Sequence, residues 1–328
     1  MPDASGPRHT VTADIAASGR TTVYGLFRER VDMAPDAIAM DYHGALTTYA
    51  QLDDRARRMA AVYTAHGVGP GDRVAILSEN RPEYIEAELA AAISGTILAC
   101  QNWRLARPEL QHCIDLVEPT LVLVSPENRE KLDALDLNIP VIDFGDQMER
   151  LLAEAAPAEP EAVDPEDGML ILYTSGTTGL PKGALISQRA EVSRHAANLM
   201  DLRWEPGDAF VAWAPMFHMG STDQLLCTLQ AGGTVIVVEG LQPEELCRSL
   251  ETYKIGHFIM LPGAFEQFFA HVRARGGVTV KGVGCTGAMA DLVPRAHLLE
   301  LTEMLNAPFV NSFGSTETGI PPCSASLI

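Results

Sequence analysis

Short continuous apolar runs alternate along this chain with longer stretches whose apolar residues return every three or four positions. The runs read as buried strands and the stretches as amphipathic helices. Val23, Leu26, Phe27 and Val31 mark one helical face within 21–31, with Thr22 as a candidate cap. Residues 37–42 and 46–49, joined through His43 and Gly44, predict a short hairpin. Leu52, Ala56, Met59 and Tyr63 face inward on a helix over 51–66, which the Gly-Val-Gly-Pro-Gly run at 67–71 ends. Strands are expected at 73–77, 96–100, 120–124 and 140–142, with helices at 82–93, 108–117 and 128–135. Pro82 suits a first helical position. The second half keeps the rhythm, with strands at 169–173, 209–213, 234–238, 257–259, 280–284 and 308–311. Helices are expected there at 188–199, 222–229, 244–253 and 292–304. Such alternation predicts an α/β chain with doubly wound, mostly parallel sheets.

Residues 1–20 mix Pro, Asp, Ser, Gly and Arg without an apolar core, so they read as a flexible tail and not as a signal peptide. An Ala, Pro and Glu-rich stretch at 154–167 reads either as a linker or as a frayed surface loop. Taken as a boundary, it divides the chain into a first α/β subdomain over 21–160 and a second over 161–328.

Composition narrows the class. At 328 residues, 47% of them hydrophobic, the chain is long enough for a large core. A net charge of −19 argues against nucleic acid or an anionic membrane as a main partner, since both select basic surface. The apolar patches are interrupted well before a bilayer-spanning length, so no membrane span is expected. Six cysteines (Cys100, Cys113, Cys227, Cys247, Cys285 and Cys323) form no Cys-x-x-Cys pair and read as reduced, buried thiols of a cytoplasmic protein.

One stretch carries chemistry. After the apolar run 169–172 come Tyr173, Thr174, Ser175, Gly176, Thr177, Thr178, Gly179, Leu180, Pro181, Lys182 and Gly183. Glycines let backbone N–H groups turn inward, four hydroxyls add donors, and Lys182 adds a charge. Donors around one cation, with no carboxylate, suit a polyphosphate. By composition alone such a stretch is a surface turn. It is not a Walker A loop, because Pro181 precedes the lysine and Gly183 follows it. Its full wording resembles the phosphate-loop signature of the adenylate-forming superfamily, which contains acyl-CoA synthetases, luciferases and peptide-synthetase adenylation domains.

Three other stretches follow expected strands. Residues 214–221, with His218, resemble the Pro-x-Phe-His-x-x-Gly segment that lies beside the carboxylate pocket of acyl- and aryl-CoA ligases in that superfamily. A histidine there, without the aspartate of amino-acid-activating members, implies an acid lacking an α-amine. Residues 284–289 resemble the adenine edge, which usually reads Gly-Gly-Ala-Pro. Here the proline is missing, and the match rests on Gly287 and Ala288, with Met289 beside them. Asn311, Ser312, Phe313, Gly314, Ser315, Thr316 and Glu317 match the aromatic-Gly-x-Thr-Glu signature.

The resemblance implies two sheet subdomains as in the N-terminal domain of such enzymes. It also implies ATP/AMP, Mg2+ and CoA as cofactors. Phe313 would stack on adenine, Thr316 would meet the α-phosphate, and Glu317 with Thr178 would hold Mg2+. Lys182, Thr316, Glu317 and His218 are the expected catalytic residues. Trp213, Met216, Met219, Gly220, Ser221, Met260, Gly263 and Gly284 are expected, with His218, around the substrate. Their apolar and small character suggests a bulky apolar carboxylic acid, whether aryl, alicyclic or medium-chain.

The expected function is an acyl-CoA synthetase. A carboxylate attacks the α-phosphorus of ATP, pyrophosphate leaves, and the acyl-adenylate then passes its acyl group to CoA. The family's ribose-binding aspartate, hinge and mobile C-terminal domain with its lysine have no counterpart before Ile328, so the chain reads as the large N-terminal portion. A non-catalytic adenylate-binding module working with a partner is the alternative, and a P-loop-type phosphotransferase is disfavoured by the lysine context. Expected partners are the carboxylic acid and its acyl-adenylate, with a homodimer left open.

Overall fold

The computed structural model describes residues 21–174, 179–202 and 204–327; for 312, 313 and 320–327 it describes the backbone alone. The expected Ser175, Gly176, Thr177 and Thr178, and the tail 1–20, lie outside the described residues.

The chain opens with helix α1 (Val23–Met33), whose first turn is capped by the Thr22 hydroxyl accepting from Gly25 N–H. Strands β1 (Ile38–Tyr42) and β2 (Ala45–Thr48) form the hairpin. Helix α2 (Tyr49–Ala65) starts in a capping box, in which Gln51 N–H donates to the Thr48 hydroxyl and Thr48 N–H donates to the Gln51 side-chain Oε1. After β3 (Arg73–Leu77) comes α3 (Pro82–Ser94), with Pro82 at its start and Gly95 in the left-handed region at its end. Then follow β4 (Ile97–Cys100), α4 (Arg107–Val117), β5 (Leu121–Val124), α5 (Arg129–Asp133), β6 (Val141–Asp143) and α6 (Asp146–Glu154).

The later elements are β7 (Gly168–Thr174), β8 (Lys182–Ser187), α7 (Gln188–Asp201), β9 (Phe210–Ala212), α8 (Met219–Gln230), β10 (Val235–Val237) and α9 (Pro243–Thr252). They continue with β11 (Ile255–Ile259), α10 (Phe265–Ala274), β12 (Val283–Gly287), α11 (Arg295–Leu305), β13 (Phe309–Ser315) and β14 (Gly319–Leu327).

These strands form three sheets, ordered β6-β5-β3-β4-β7-β8, β2-β1-β10-β9 and β11-β12-β13-β14. Pairing is parallel except at β1–β2, β7–β8 and β13–β14. The central strands β3, β4 and β5 are buried along almost their whole length, as parallel strands covered on both faces must be. Helix α3 is buried on every side from Tyr84 to Ser94 and runs through the main core.

Strand pairing crosses the 160/161 line. β7 and β8 join the sheet of the earlier strands, and β1 pairs with β10 from the other half. The connection over 155–167 is tied down, with Ala158 N–H on the Arg57 carbonyl of α2 and Glu161 N–H on the Ile93 carbonyl of α3. It therefore lies along the first helices and leads back into the same sheet. Local alternation identifies a strand but not its neighbours, which long-range contacts choose.

Two strands sit differently from expectation. β12 occupies 283–287 instead of 280–284, and β13 runs on to Ser315, so both presumed loop signatures lie largely on strands. Helices α6 and α10 and strands β8 and β14 were not expected. The Phe265, Phe268, Phe269 and Val272 spacing of α10 was legible in principle. Cys100, Cys113, Cys227, Cys247 and Cys285 are buried, and the Cys285 thiol donates to the Leu202 carbonyl at 2.9 Å. Among the described residues no helix is long and apolar enough to cross a membrane.

Candidate active site

The phosphate-loop stretch is a hairpin. β7 and β8 pair with Thr174 opposite Lys182 and Tyr173 opposite Gly183, so the lysine stands at the mouth of the loop. Because β7 runs parallel to β4, and β4 to β3, the loop lies at the carboxyl edge of the sheet, where such folds bind ligands. Gly179 has φ of +89°, open to glycine at no steric cost. Lys182 is exposed, and Thr174 is half-buried.

Side chains from neighbouring elements fix the hairpin. The Tyr173 hydroxyl donates to the Cys113 carbonyl at 3.0 Å and accepts from Gln101 Nε2 at 2.8 Å. Burial pushes the phenol far above its usual pKa, so it stays a neutral donor. His112 Nε2 donates to the Pro181 carbonyl at 3.1 Å. Ile171 covers Gly183 so closely that an added Cβ would come within 2.9 Å of it.

The His218 segment is held against the same edge. Asn80, just past β3 and 3% exposed, donates to the carbonyls of Ala212, Ala214 and Val238 and accepts Met216 N–H at 2.9 Å. Trp103, just past β4, meets Phe217 edge-on with ring centroids 6.4 Å apart. His218 then caps α8, its Nδ1 accepting Gly220 N–H at 3.2 Å. That bond places the neutral ring's proton on Nε2. The residue is exposed, yet the protein around its ring disfavours the charged form and holds its pKa below the ordinary value. Its position at a helix N-terminus acts in the same direction.

Met219 and Ser221 are buried on the first turn of α8, and Gly220 is half-buried. One turn further, Gln224 is fully buried; among the described residues neither its amide atoms nor Ser221 Oγ has a partner. Trp213, Met216 and Met260 belong to apolar cores, and Trp213 Nε1 donates to the Ile259 carbonyl at 2.9 Å. Gly284 is half-buried on β12, and Gly263 is exposed with open space at its α-carbon.

At the expected adenine edge, Gly287 ends β12. A Cβ there would fall 2.5 Å from His257 Nε2, so the flat ring this glycine admits is the imidazole of the neighbouring strand. His257 is 4% exposed, neither nitrogen has a partner among the described residues, and burial lowers its pKa to about 4. Ala288 is half-buried, and Met289 is exposed.

Asn311 to Ser315 lie on β13, with Asn311 and Gly314 exposed. The side chains of Ser312 and of Phe313, the latter expected to stack on adenine, lie outside the described residues. Thr316, Glu317 and Thr318 make the turn into β14, closed by Thr318 N–H on the Ser315 carbonyl at 3.1 Å. Its own backbone N–H and the nearby Ser315 hydroxyl favour the charged form of the exposed Glu317 carboxyl and lower its pKa. Among the described residues no group of three or more His, Cys, Asp or Glu could hold a metal. A lone ionised carboxylate fits a cation whose other ligands are phosphate oxygens and water.

Helix α7 connects the two hairpins. It follows β8 directly, capped by the Ser187 hydroxyl on Ala190 N–H, and its Arg194 Nη2 donates to the Thr316 carbonyl at 2.8 Å. Asn80, Gln101, His112 and Arg194 were not singled out from the sequence. Arg194 had a signal, since Gln188, Glu191, Arg194, His195 and Asn198 place polar groups along one helical face, and all are buried.

The sequence profile of the AMP-binding enzyme family matches residues 27–326. The chain is 31% identical over 300 residues to feruloyl-CoA synthase of an Amycolatopsis species, covering 88% of this chain and 58% of that protein. It is 30% identical over 300 residues to indoleacetate–CoA ligase of Aromatoleum aromaticum, covering 87% and 58%. It thus spans about 58% of the length of these relatives. Among solved structures, the inhibitor-bound N-terminal domain of FACL13 from Mycobacterium tuberculosis superposes with a TM-score of 0.82 at 24% identity, covering 90% of this chain and 76% of that one. A fatty acyl CoA synthetase of Mycobacterium tuberculosis gives 0.80 at 23%, covering 90% and 60%. These two likenesses show the fold, an α/β N-terminal domain with mostly parallel sheets. With nearly the whole chain inside the profile match, the protein belongs to the AMP-binding enzyme family.

Proposed function

We propose that this chain binds ATP and a carboxylic acid, and the acyl-adenylate they form, for an AMP-forming acid–thiol ligase that uses CoA. The observation that carries the reading is the Arg194–Thr316 contact, because it attaches the Thr-Glu turn to the helix that leaves the phosphate hairpin. In the reaction a carboxylate oxygen attacks the α-phosphorus and pyrophosphate departs. A thiol sulfur then attacks the acyl carbonyl and AMP leaves. Both first reactants are anions, so positioning and charge neutralisation dominate catalysis.

Lys182 and the loop amides would receive the departing phosphates, and Thr316 would donate to the α-phosphate. The His218 Nε2–H would donate to a carboxylate oxygen. Glu317 and Thr178 would hold Mg2+, which supplies further neutralisation of phosphate charge when bound. Ala288 and Met289, with Asn311 to Ser315, would face the base, while Gly287 makes room for His257 beneath them.

An aryl acid carrying a polar group suits the site best. Two relatives are named for feruloyl and indoleacetate thioesters, both of aromatic acids. Ser221 and Gln224, buried one behind the other after His218, offer hydrogen-bonding groups that an aliphatic tail would leave unsatisfied.

Calorimetry with Mg·ATP and with sulfamoyl analogues of aryl-adenylates tests the reading, together with exchange of labelled pyrophosphate into ATP. Analogue binding tighter than AMP is expected. Adenylate binding without exchange would favour a holding role beside a partner. No affinity for any adenylate, or ADP as product, would overturn the assignment.

A further inference from the structure

Arg194 is buried, with 6% of its side chain exposed, and it serves two structures at once. Its Nη1 faces the Asp223 carboxylate at 3.2 and 3.4 Å and Glu191 at 3.4 Å, both carboxylates being buried. Its Nη2 reaches the Thr316 carbonyl at 2.8 Å. Gly319, at the other end of the turn, lies against the arginine stem. A Cβ there would sit 2.7 to 2.9 Å from Arg194 Cγ, Nε and Cδ, and φ of +75° already favours glycine.

The guanidinium is a rigid planar fork, so committing one nitrogen to carboxylates fixes where the other points. Glu317 is exposed and Thr316 half-buried, so the backbone grip locates the turn that carries them. A lysine concentrates its charge on one nitrogen and lacks the planar fork that serves Asp223 and the Thr316 carbonyl from two.

We propose that Arg194 is a positioning residue for metal–nucleotide binding, setting where the Thr316 hydroxyl and the Glu317 carboxylate stand. The inference rests on the nucleotide-binding reading above. The test measures ATP affinity of the whole chain with and without Mg2+ by calorimetry, in the unaltered protein, in Arg194→Lys and in Gly319→Ala. Alongside it, hydrogen exchange of the 316–319 amides is followed without ligand.

The expected result is a loss of about tenfold in the gain that Mg2+ gives, the scale of one charge-assisted hydrogen bond, with Mg2+-free affinity within about twofold. Faster exchange at 316–319 should accompany it. Gly319→Ala keeps every charge in place and decides the matter if Arg194→Lys does not fold. An unchanged Mg2+ gain in the folded variants overturns this inference alone, as does ATP binding without any Mg2+ gain in the unaltered chain. Absence of nucleotide binding in the unaltered chain overturns it together with the proposed function.

Discussion

Two hairpins carry the candidate chemistry, and they are anchored by opposite means. The β7–β8 hairpin is held by packing and by hydrogen bonds to backbone carbonyls: the Tyr173 hydroxyl on Cys113, the His112 ring on Pro181, and Ile171 packed over Gly183. The β13–β14 hairpin is held by Arg194, which is itself bound to two buried carboxylates. Packing tolerates changes of pH and salt, whereas a buried ion cluster depends on every charge being matched. The difference predicts that the phosphate hairpin stays in place while the Thr-Glu turn responds to charge.

The largest expected effect breaks the second anchor. Arg194→Ala strands Asp223 and Glu191 and should cost about 3 to 5 kcal/mol in denaturant unfolding. A loss comparable to a surface substitution would show that the cluster is hydrated. Next comes Lys182→Ala, which removes an exposed cation at the loop mouth. It should weaken ATP binding by about 2 kcal/mol in calorimetry while leaving the melting temperature nearly unchanged. Equal ATP affinity would remove the lysine from the site.

Gly183→Ala tests the first anchor by forcing a methyl against Ile171. It should lower stability by about 1 to 2 kcal/mol without making stability more sensitive to salt. The smallest effect is a slope. Burial raises the Asp223 carboxyl from 3.8 to about 6, against the opposing pull of Arg194. The folded state therefore binds more protons between those values, and this contribution is fullest below the lower value and lost as pH rises through the upper one. Asp223→Asn should flatten the stability profile in that window, and an unchanged profile would place the titration elsewhere.

Much of the fold was legible because buried strands and amphipathic helices write their period locally. β3 falls on 73–77 as expected, and α2, α3 and α9 lie within a few residues of their expected bounds. β12 was placed three residues early, since its glycines dilute the apolar signal. The phosphate stretch and the Thr-Glu stretch were legible as wording. That Gly287 makes room for His257 was not, because the two meet across neighbouring strands. Nothing local marks Asn80, whose four hydrogen bonds to the 212–216 segment and Val238 join residues far along the chain.

The sequence alone determined which residue types stand in each signature and the alternation that makes an α/β protein, since propensity and periodicity act over a few residues. Tertiary structure decided the rest. It chose which strands are neighbours, so that the sheets cross the middle of the chain. It gave His218 its tautomer by folding Gly220 N–H back onto the ring. It also brought Arg194 to Thr316, a contact between residues far apart along the chain that their local sequences do not specify and that the packing of whole elements enforces.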